Sequence, residues 1–287
     1  MAGVLVGLGF AVKVTIALVG LGLAVALVLR LGWRWRRLWP PLAALGAGFA
    51  VTAGTAVAIG GPAMLQQSSR ASDMVSIGSP WRVIRTIIDL GVGGTAATDI
   101  VKAGAIVLAV ALAVLLVRGL PAPATWRELR ADAGQYPGWY PGVAFALALA
   151  WLFAWPYVLP WYDALGWALL PLVPLAGTVA EGLAWLLLAR TAALGFGYLP
   201  ARQTDAALPS GLGWLQPVVR HGVTPAILAA ATAWLVYLTV RARRTAPDRR
   251  VGGDLPAAPP SGAPPRVMPE ACRQAPPGEA PARGAVS

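Results

Sequence analysis

Arginines that follow an aromatic residue are the groups in this sequence best suited to chemistry with an anion. Arg82 comes directly after a Ser-Pro-Trp triplet that can cap and start a helix, and Arg85 follows three residues later. A guanidinium presents a planar fork of donors that matches phosphate geometry. The pattern predicts phosphate binding on a helix over residues 80–90, and contact with ordinary lipid headgroups is the alternative.

Two lysines are weaker candidates for the same role. Lys13 lies inside a long apolar run, where an unpartnered charge is costly in a membrane. It predicts either an ion pair with a neighbouring helix or contact with an anionic substrate group. Lys102 lies three residues after Asp99, so these two side chains can also simply pair on one helix face.

The turn at residues 160–163 combines two aromatic rings with a carboxylate, and we expect it at the outer surface. Trp161 and Tyr162 suit stacking on a sugar ring, and Asp163 suits hydrogen bonds from sugar hydroxyls. An aromatic belt at the membrane boundary explains the two rings equally well. Arg190, inside a later apolar run, is expected to bond to another helix of the bundle.

Several common kinds of site have no motif in the sequence. It contains no Gly-x-Ser-x-Gly, no Walker loop and no His-Glu-x-x-His. The single histidine, His221, and the single cysteine, Cys272, form no zinc-binding spacing. We therefore expect no metal or cofactor, and the sequence assigns no catalytic base.

The composition is that of a membrane protein. Hydrophobic residues make up 57%, charged residues 12%, and the mean hydropathy is +0.64, whereas a soluble domain carries about 25% charge. The expected fold class is all-α, a polytopic bundle of about seven transmembrane helices with an interfacial helix. Of the net charge of +11, the tail 241–287 contributes +4, and the remaining +7 lies mostly at the ends of apolar runs, which is typical of orientation signals and not of a nucleic-acid surface.

Seven apolar runs are predicted to span the membrane. The fifth is short and contains Pro171 and Pro174, so the count becomes six without it. The predicted spans are Ala2–Leu29, Leu42–Pro62, Ile100–Val117, Val143–Leu159, Ala164–Ala176, Ala180–Tyr198 and Val218–Val240.

The basic loops predict how this multi-pass protein is oriented in the cell membrane. Arginines in residues 30–37, 118–130 and 241–244 predict that these segments are cytoplasmic. The loop 64–98, with its interfacial helix 80–90, then lies outside, as does the N-terminus. Residues 1–240 form the bundle. The tail 241–287, with ten prolines, is predicted to be disordered and cytoplasmic.

Five short motifs resemble one enzyme family over about residues 1–240. They are Gly-Phe-Ala-Val-Lys-Val-Thr at 9–15, Ser-Pro-Trp-Arg at 79–82, Tyr-Val-Leu-Pro-Trp-Tyr-Asp-Ala-Leu at 157–165, Trp-Leu-Leu-Leu-Ala-Arg-Thr at 185–191 and Tyr-Leu-Pro-Ala-Arg at 198–202. They look like the C-terminal half of actinobacterial polyprenol-phosphomannose-dependent α-1,6-mannosyltransferases. These class C glycosyltransferases are membrane proteins that take a sugar from a lipid phosphate donor on the outer face.

The resemblance implies transfer of mannose from polyprenyl-phosphate-mannose, a donor substrate, to a cell-envelope glycan, with no cofactor. The family carries its catalytic acid in an early external loop that has no counterpart here. The implied partners are membrane lipids, the polyprenyl-phosphate-sugar and a polypeptide that supplies the N-terminal half. The implied phosphate-binding residues are Arg82, Arg85, Lys13 and Lys102, and the implied acceptor contacts are Trp161, Tyr162 and Asp163.

Two other functions stay open at this point. One is a transporter or flippase of a lipid-linked anion, with Lys13 and Arg190 along its path. The other is a non-catalytic membrane subunit, so the sequence alone leaves open whether the chain is an enzyme.

Overall fold

A computed structural model describes residues 1–72, 74–120, 139–175, 177–198 and 213–245, and every regular element in these ranges is helical. The expected all-α fold class is thereby confirmed. A 3-10 turn spans Pro160–Asp163, and a π-helical turn spans Val219–Val223. The helices are α1 (Ala2–Val12), α2 (Ala17–Leu31), α3 (Trp35–Ser72), α4 (Pro80–Val92), α5 (Gly94–Gly119), α6 (Trp139–Ala154), α7 (Ala164–Leu169), α8 (Gly177–Tyr198), α9 (Leu215–Val218) and α10 (Thr224–Thr245).

Five helical stretches in these ranges are long and apolar enough to cross a membrane, so the chain is a multi-span membrane protein. Two shorter apolar helices, Ala2–Val12 and Tyr140–Ala154, accompany them. The predicted fifth span is wrong, because α7 has only six residues and a 3-10 turn containing Pro171 follows it. The five long stretches are Val14–Leu31, Trp35–Gly61, Gly94–Gly119, Gly177–Tyr198 and Leu215–Arg244.

Helix α6 lies at the centre of the bundle. Its side chains from Val143 to Leu152 are nearly all buried, and Phe145 and Leu149 have no exposed surface. They pack with Leu116 of α5 and Leu187 of α8 in one core. A helix that is apolar on every side can be surrounded by other helices without burying a polar side chain, which is consistent with the central position of α6.

Close packing of α2 on α6 depends on Gly22. A Cβ atom added to Gly22 would lie 2.8 Å from the Ala144 Cβ and would also collide with the backbone of Ala144. We expect Gly22→Ala to lower the free energy of unfolding by about 1–3 kcal/mol, because the two helices would have to separate. Thermal or denaturant unfolding of the purified protein in detergent measures this loss.

The matched control is Gly46→Ala in α3, where no described atom lies within 4 Å of the added Cβ. This change is expected to be neutral or to stabilise by up to about 1 kcal/mol, since alanine is the better helix former. Equal losses for both variants would contradict close packing at Gly22.

The first predicted span is broken at Lys13, which corrects the expectation of one continuous helix. Lys13 adopts an extended conformation with φ −154° and ψ 118° between α1 and a short 3-10 turn. Helix α1 then packs antiparallel to α2, because a Cβ on Gly20 would lie 2.8 Å from Val6 and one on Gly9 would lie 2.7 Å from Ile16. The break carries the lysine ammonium to a backbone carbonyl, which relieves the cost of a charge in apolar surroundings.

The segment predicted as a loop over 64–98 contains more helix than expected. Helix α3 continues to Ser72 through a kink at Gly61, whose φ of +67° favours glycine. The interfacial helix 80–90 is confirmed as a helix, α4, with the Ser79 side chain accepting a hydrogen bond from the Trp81 N–H at 3.3 Å. Helix α10 continues through residues 241–245, which corrects the expectation that the disordered tail begins at 241. The rest of the predicted tail and most residues of the loops 118–140 and 200–216 lie outside the described residues.

The helix ends that adjoin the three predicted basic segments lie at one end of the bundle. Ala26, Val143 and Val117 pack together, so the end of α2, the start of α6 and the end of α5 lie side by side. The Arg30 guanidinium there contacts the Tyr140 hydroxyl. Gly119 packs against Thr239, which brings the end of α10 to the same place.

Candidate functional site

A cavity of about 500 Å³ lies between the ends of several helices. Two cations line it, Arg85 from α4 and Arg220 from the π-helical turn. Three aromatic rings, Tyr157, Trp161 and Tyr198, line it as well. We call this space the arginine cavity.

Two extended segments form a fixed wall of the arginine cavity. The Ser76 N–H donates to the Pro156 carbonyl at 3.1 Å. The Ser76 hydroxyl donates to the Val158 carbonyl at 2.8 Å and accepts from the Val158 N–H at 2.9 Å. Trp81 ties α4 to the same wall, since its indole N–H donates to the Ala154 carbonyl at 2.7 Å. These bonds satisfy backbone groups that no helix could satisfy and hold residues 154–158 in place.

Arg220 lines the arginine cavity, and part of its guanidinium group makes no hydrogen bond to the described residues. Its Nε and Nη2 atoms are buried, and neither has a hydrogen-bond partner among the described residues. A buried unpaired donor costs about 1–3 kcal/mol. The arrangement therefore favours a ligand that accepts hydrogen bonds at this position.

The π-helical turn that carries Arg220 has a cause in the sequence. Pro225 lies at the start of α10 and has no N–H to donate to the carbonyl of His221. A proline inside a helix disturbs the regular bonding in the preceding turn, and a single π turn is one way to absorb it. Such turns are frequent at functional sites.

The two arginines predicted on α4 have different positions. Arg85 is half-buried and lines the arginine cavity, whereas Arg82 is exposed and is not among the described lining residues. Lys102 lies on α5, half-buried, and is likewise outside the described lining. Of the four predicted phosphate-binding residues, the structure thus brings one, Arg85, into this cavity.

Lys13 contacts the predicted acceptor turn. Its ammonium donates to the Trp161 carbonyl at 2.9 Å and lies 4.4 Å from the centroid of the Tyr162 ring. Burial, and to a lesser extent the charge of Tyr157, raises the pKa of Tyr162 above its ordinary value, so its phenol stays protonated. Lys13 therefore holds this turn, of which Pro160 and Trp161 line the arginine cavity, whereas Tyr162 and Asp163 are not among the described lining residues.

The expectation that Asp163 lies at the outer surface is wrong. Its side chain is fully buried and forms an ion pair with Arg190. Thr191 donates to the other carboxylate oxygen at 2.8 Å, and Arg190 also donates to the Leu152 carbonyl at 2.6 Å. The expectation that Arg190 bonds to another helix is confirmed, and the pair anchors the turn that carries Trp161.

Sequence reasoning missed Arg220, Tyr157 and Tyr198 as cavity residues. The one available signal was an arginine between Pro217 and Pro225 at the entrance of an apolar run. The Trp161 and Tyr198 rings meet edge to face with centroids 5.3 Å apart, although they are 37 residues apart in sequence. No local pattern predicts such a contact.

The chemistry available in the arginine cavity is recognition of an anion beside an apolar or ring-shaped group. Among the residues that the structure describes, the lining contains no carboxylate. The same residues hold no group of three histidine, cysteine, aspartate or glutamate side chains that could bind a metal. The lining is cationic and aromatic, which suits the oxygens of an anion next to a flat apolar surface.

The fold and the cavity define a multi-span helical membrane protein with a cationic, aromatic cavity at one end of its bundle. No family model, curated protein or solved structure matches this chain.

Proposed function

We propose that this membrane protein binds the phosphate of a polyprenyl-phosphate-sugar in the arginine cavity. The observation that carries the proposal is the buried, unpartnered pair of guanidinium nitrogens on Arg220, with Arg85 lining the same space. Two guanidinium groups match the oxygens and the negative charge of a phosphate. The sugar would lie against Trp161 and Tyr198, where rings offer flat apolar faces.

An apolar cavity next to this site has room for part of a lipid chain. It measures about 370 Å³ and is lined mainly by apolar side chains, among them Trp81, Phe153 and Leu228. Val158 lines both cavities. Two cavities on either side of one residue support a ligand with an anionic head and a long hydrocarbon tail.

The reaction we propose is the one that the family resemblance implies, with polyprenyl-phosphate-mannose as donor and an envelope glycan as acceptor. Arg85 and Arg220 would stabilise the negative charge left on the lipid phosphate when the sugar departs. The base that takes the proton from the acceptor hydroxyl is not assigned to any described residue of the lining. The lack of such a base among the described lining residues favours a second candidate function, that of a non-catalytic subunit that binds the donor for another polypeptide.

The transporter alternative has less support. It needs Lys13 and Arg190 along a path for an anion, yet Arg190 is paired with Asp163 and Lys13 is bonded to the Trp161 carbonyl. A guanidinium that is already paired with a buried carboxylate is poorly available to bind an anion that is being transported.

A titration of the purified full-length protein in nanodiscs tests the proposal. We compare polyprenyl-phosphate-mannose, polyprenyl phosphate and polyprenol of the same length. The two phosphates are expected to bind at least about tenfold more tightly than the alcohol, since one charged hydrogen bond alone contributes about 1.5–3 kcal/mol. Equal affinity for polyprenol would contradict phosphate recognition, and sugar transfer to an added mannoside acceptor would separate the enzyme from the subunit.

We also propose that the arginine cavity faces the outside and the end with Arg34 faces the cytoplasm. In a Cys272→Ser background, Arg82→Cys on exposed α4 is expected to react in intact cells with a membrane-impermeant maleimide. Arg34→Cys is expected to react only after the cells are opened. The reverse pattern would overturn this orientation.

A further inference from the structure

The connection between α2 and α3, together with the first turns of α3, exposes arginines and tryptophans close together in sequence. Arg34, Arg36 and Arg37 are exposed, and Trp33, Trp35 and Trp39 keep 85%, 62% and 54% of their surface accessible. We call these six residues the Arg/Trp surface. Large exposed tryptophans are costly in water but favourable at the headgroup level of a bilayer.

The backbone holds this surface firmly in place. Leu38 is only 1% exposed and anchors the start of α3 in the bundle. The rings of Trp35 and Trp39 stack with centroids 5.3 Å apart. Gly32, with φ +63°, makes the sharp turn out of α2. The arginines are therefore presented from a fixed turn beside apolar helices.

Negative side chains are scarce around this surface. Arg118, Arg243 and Arg244 are exposed at helix ends on the same side of the bundle. Among the described residues, Glu181 at the start of α8 is the carboxylate found at that end, and no described carboxylate pairs with Arg34, Arg36 or Arg37. Within the part of the chain that the structure describes, these three arginines therefore have no carboxylate partner.

We propose that the Arg/Trp surface binds the headgroups of anionic phospholipids in the leaflet that it faces. Guanidinium groups bind the lipid phosphate, and the tryptophan rings insert beside it at the level of the glycerol carbonyls. Charge complementarity supports this partner, since clusters of basic residues next to a membrane helix attract anionic lipid. A bilayer fits better than a nucleic acid, because the three exposed rings need an apolar environment next to the charges. This inference is independent of the arginine cavity.

The test measures binding of fluorescent phosphatidylglycerol and phosphatidylcholine to the purified full-length protein in neutral detergent micelles. The wild type is expected to prefer phosphatidylglycerol by about tenfold or more at 0.1 M salt, and less as salt is raised. The triple variant Arg34→Gln, Arg36→Gln, Arg37→Gln is expected to lose this preference. The matching triple lysine variant is expected to keep most of it, because it keeps the charge.

The control removes three arginines that do not belong to the surface, by Arg249→Gln, Arg266→Gln and Arg283→Gln. It is expected to change the preference by less than about twofold. An equal loss in this control would mean that net charge alone attracts the lipid, and it would overturn the proposal. So would equal binding of the two lipids by the wild type, or full displacement of phosphatidylglycerol by a duplex oligonucleotide at equal concentration.

Discussion

Asp163→Asn is expected to lower the free energy of unfolding by about 3–5 kcal/mol, the largest stability loss that we foresee for a single side chain. The substitution keeps the size of the side chain and leaves an oxygen for the Thr191 hydroxyl. It removes the charge that faces Arg190, whose side chain is 2% exposed, and replaces one acceptor oxygen by an amide NH2 group. An unpaired guanidinium in an apolar bundle must then find water or pull a carbonyl out of place.

The ion pair also determines the position of the cavity wall. Asp163 lies two residues after Trp161, and Arg190 reaches across to the Leu152 carbonyl on α6. Losing the pair frees the turn 160–163 at one side, while Lys13 holds it at the other. We therefore expect Asp163→Asn to weaken binding of a phosphate lipid as well as stability.

Unfolding of the purified protein in detergent, followed by tryptophan fluorescence, measures the loss. Asp89→Asn is the matched control, since Asp89 is exposed on α4, and surface changes of this kind stay within about 0.5 kcal/mol. The double variant Asp163→Asn, Arg190→Met is expected to cost clearly less than the sum of the two single changes, because it leaves no buried charge. Additive losses would show that the two side chains do not interact.

Features of the fold that depend on local chemistry could be predicted from the sequence. Long apolar runs ended by arginines indicated membrane helices, since a helix satisfies its own backbone hydrogen bonds in lipid. The Ser-Pro pair at 79–80 predicted the start of α4, because serine can cap a helix and proline fits its first turn. Arg190 was expected to bond to another helix because a charge in a membrane needs a partner.

Features that depend on tertiary contacts could not be predicted. The helix is broken at Lys13, where the lysine ammonium donates to the carbonyl of Trp161, which lies 148 residues further along the chain. Asp163 was predicted to lie at the surface because its neighbours in the sequence are aromatic. Its ion pair with Arg190 depends on the packing of α8 against the turn, which is a tertiary contact. Arg220 was not predicted as a site residue, since an arginine at the entrance of a membrane helix is normally an orientation signal.

Replacing either cavity arginine is expected to weaken binding of polyprenyl phosphate by about tenfold to a hundredfold. Arg85→Gln and Arg220→Gln each remove one charged donor group from a phosphate site, at about 1.5–3 kcal/mol. Arg220→Gln has a second consequence, because it removes two buried nitrogens that lack a partner among the described residues. It should leave the free protein equally stable or slightly more stable, so that affinity and stability move in opposite directions.

Arg82→Gln discriminates between the two faces of α4. Arg82 is three residues from Arg85, carries the same charge and is exposed, so its loss should change affinity by less than about threefold. Arg85→Lys and Arg220→Lys should give intermediate losses, because a lysine keeps the charge but cannot form the bidentate fork. If Arg82→Gln weakened binding while both cavity variants bound normally, the phosphate would lie on the exposed face of α4 and not in the arginine cavity. Titration of all five variants in the same nanodiscs, with polyprenol as the uncharged reference, decides between the two positions.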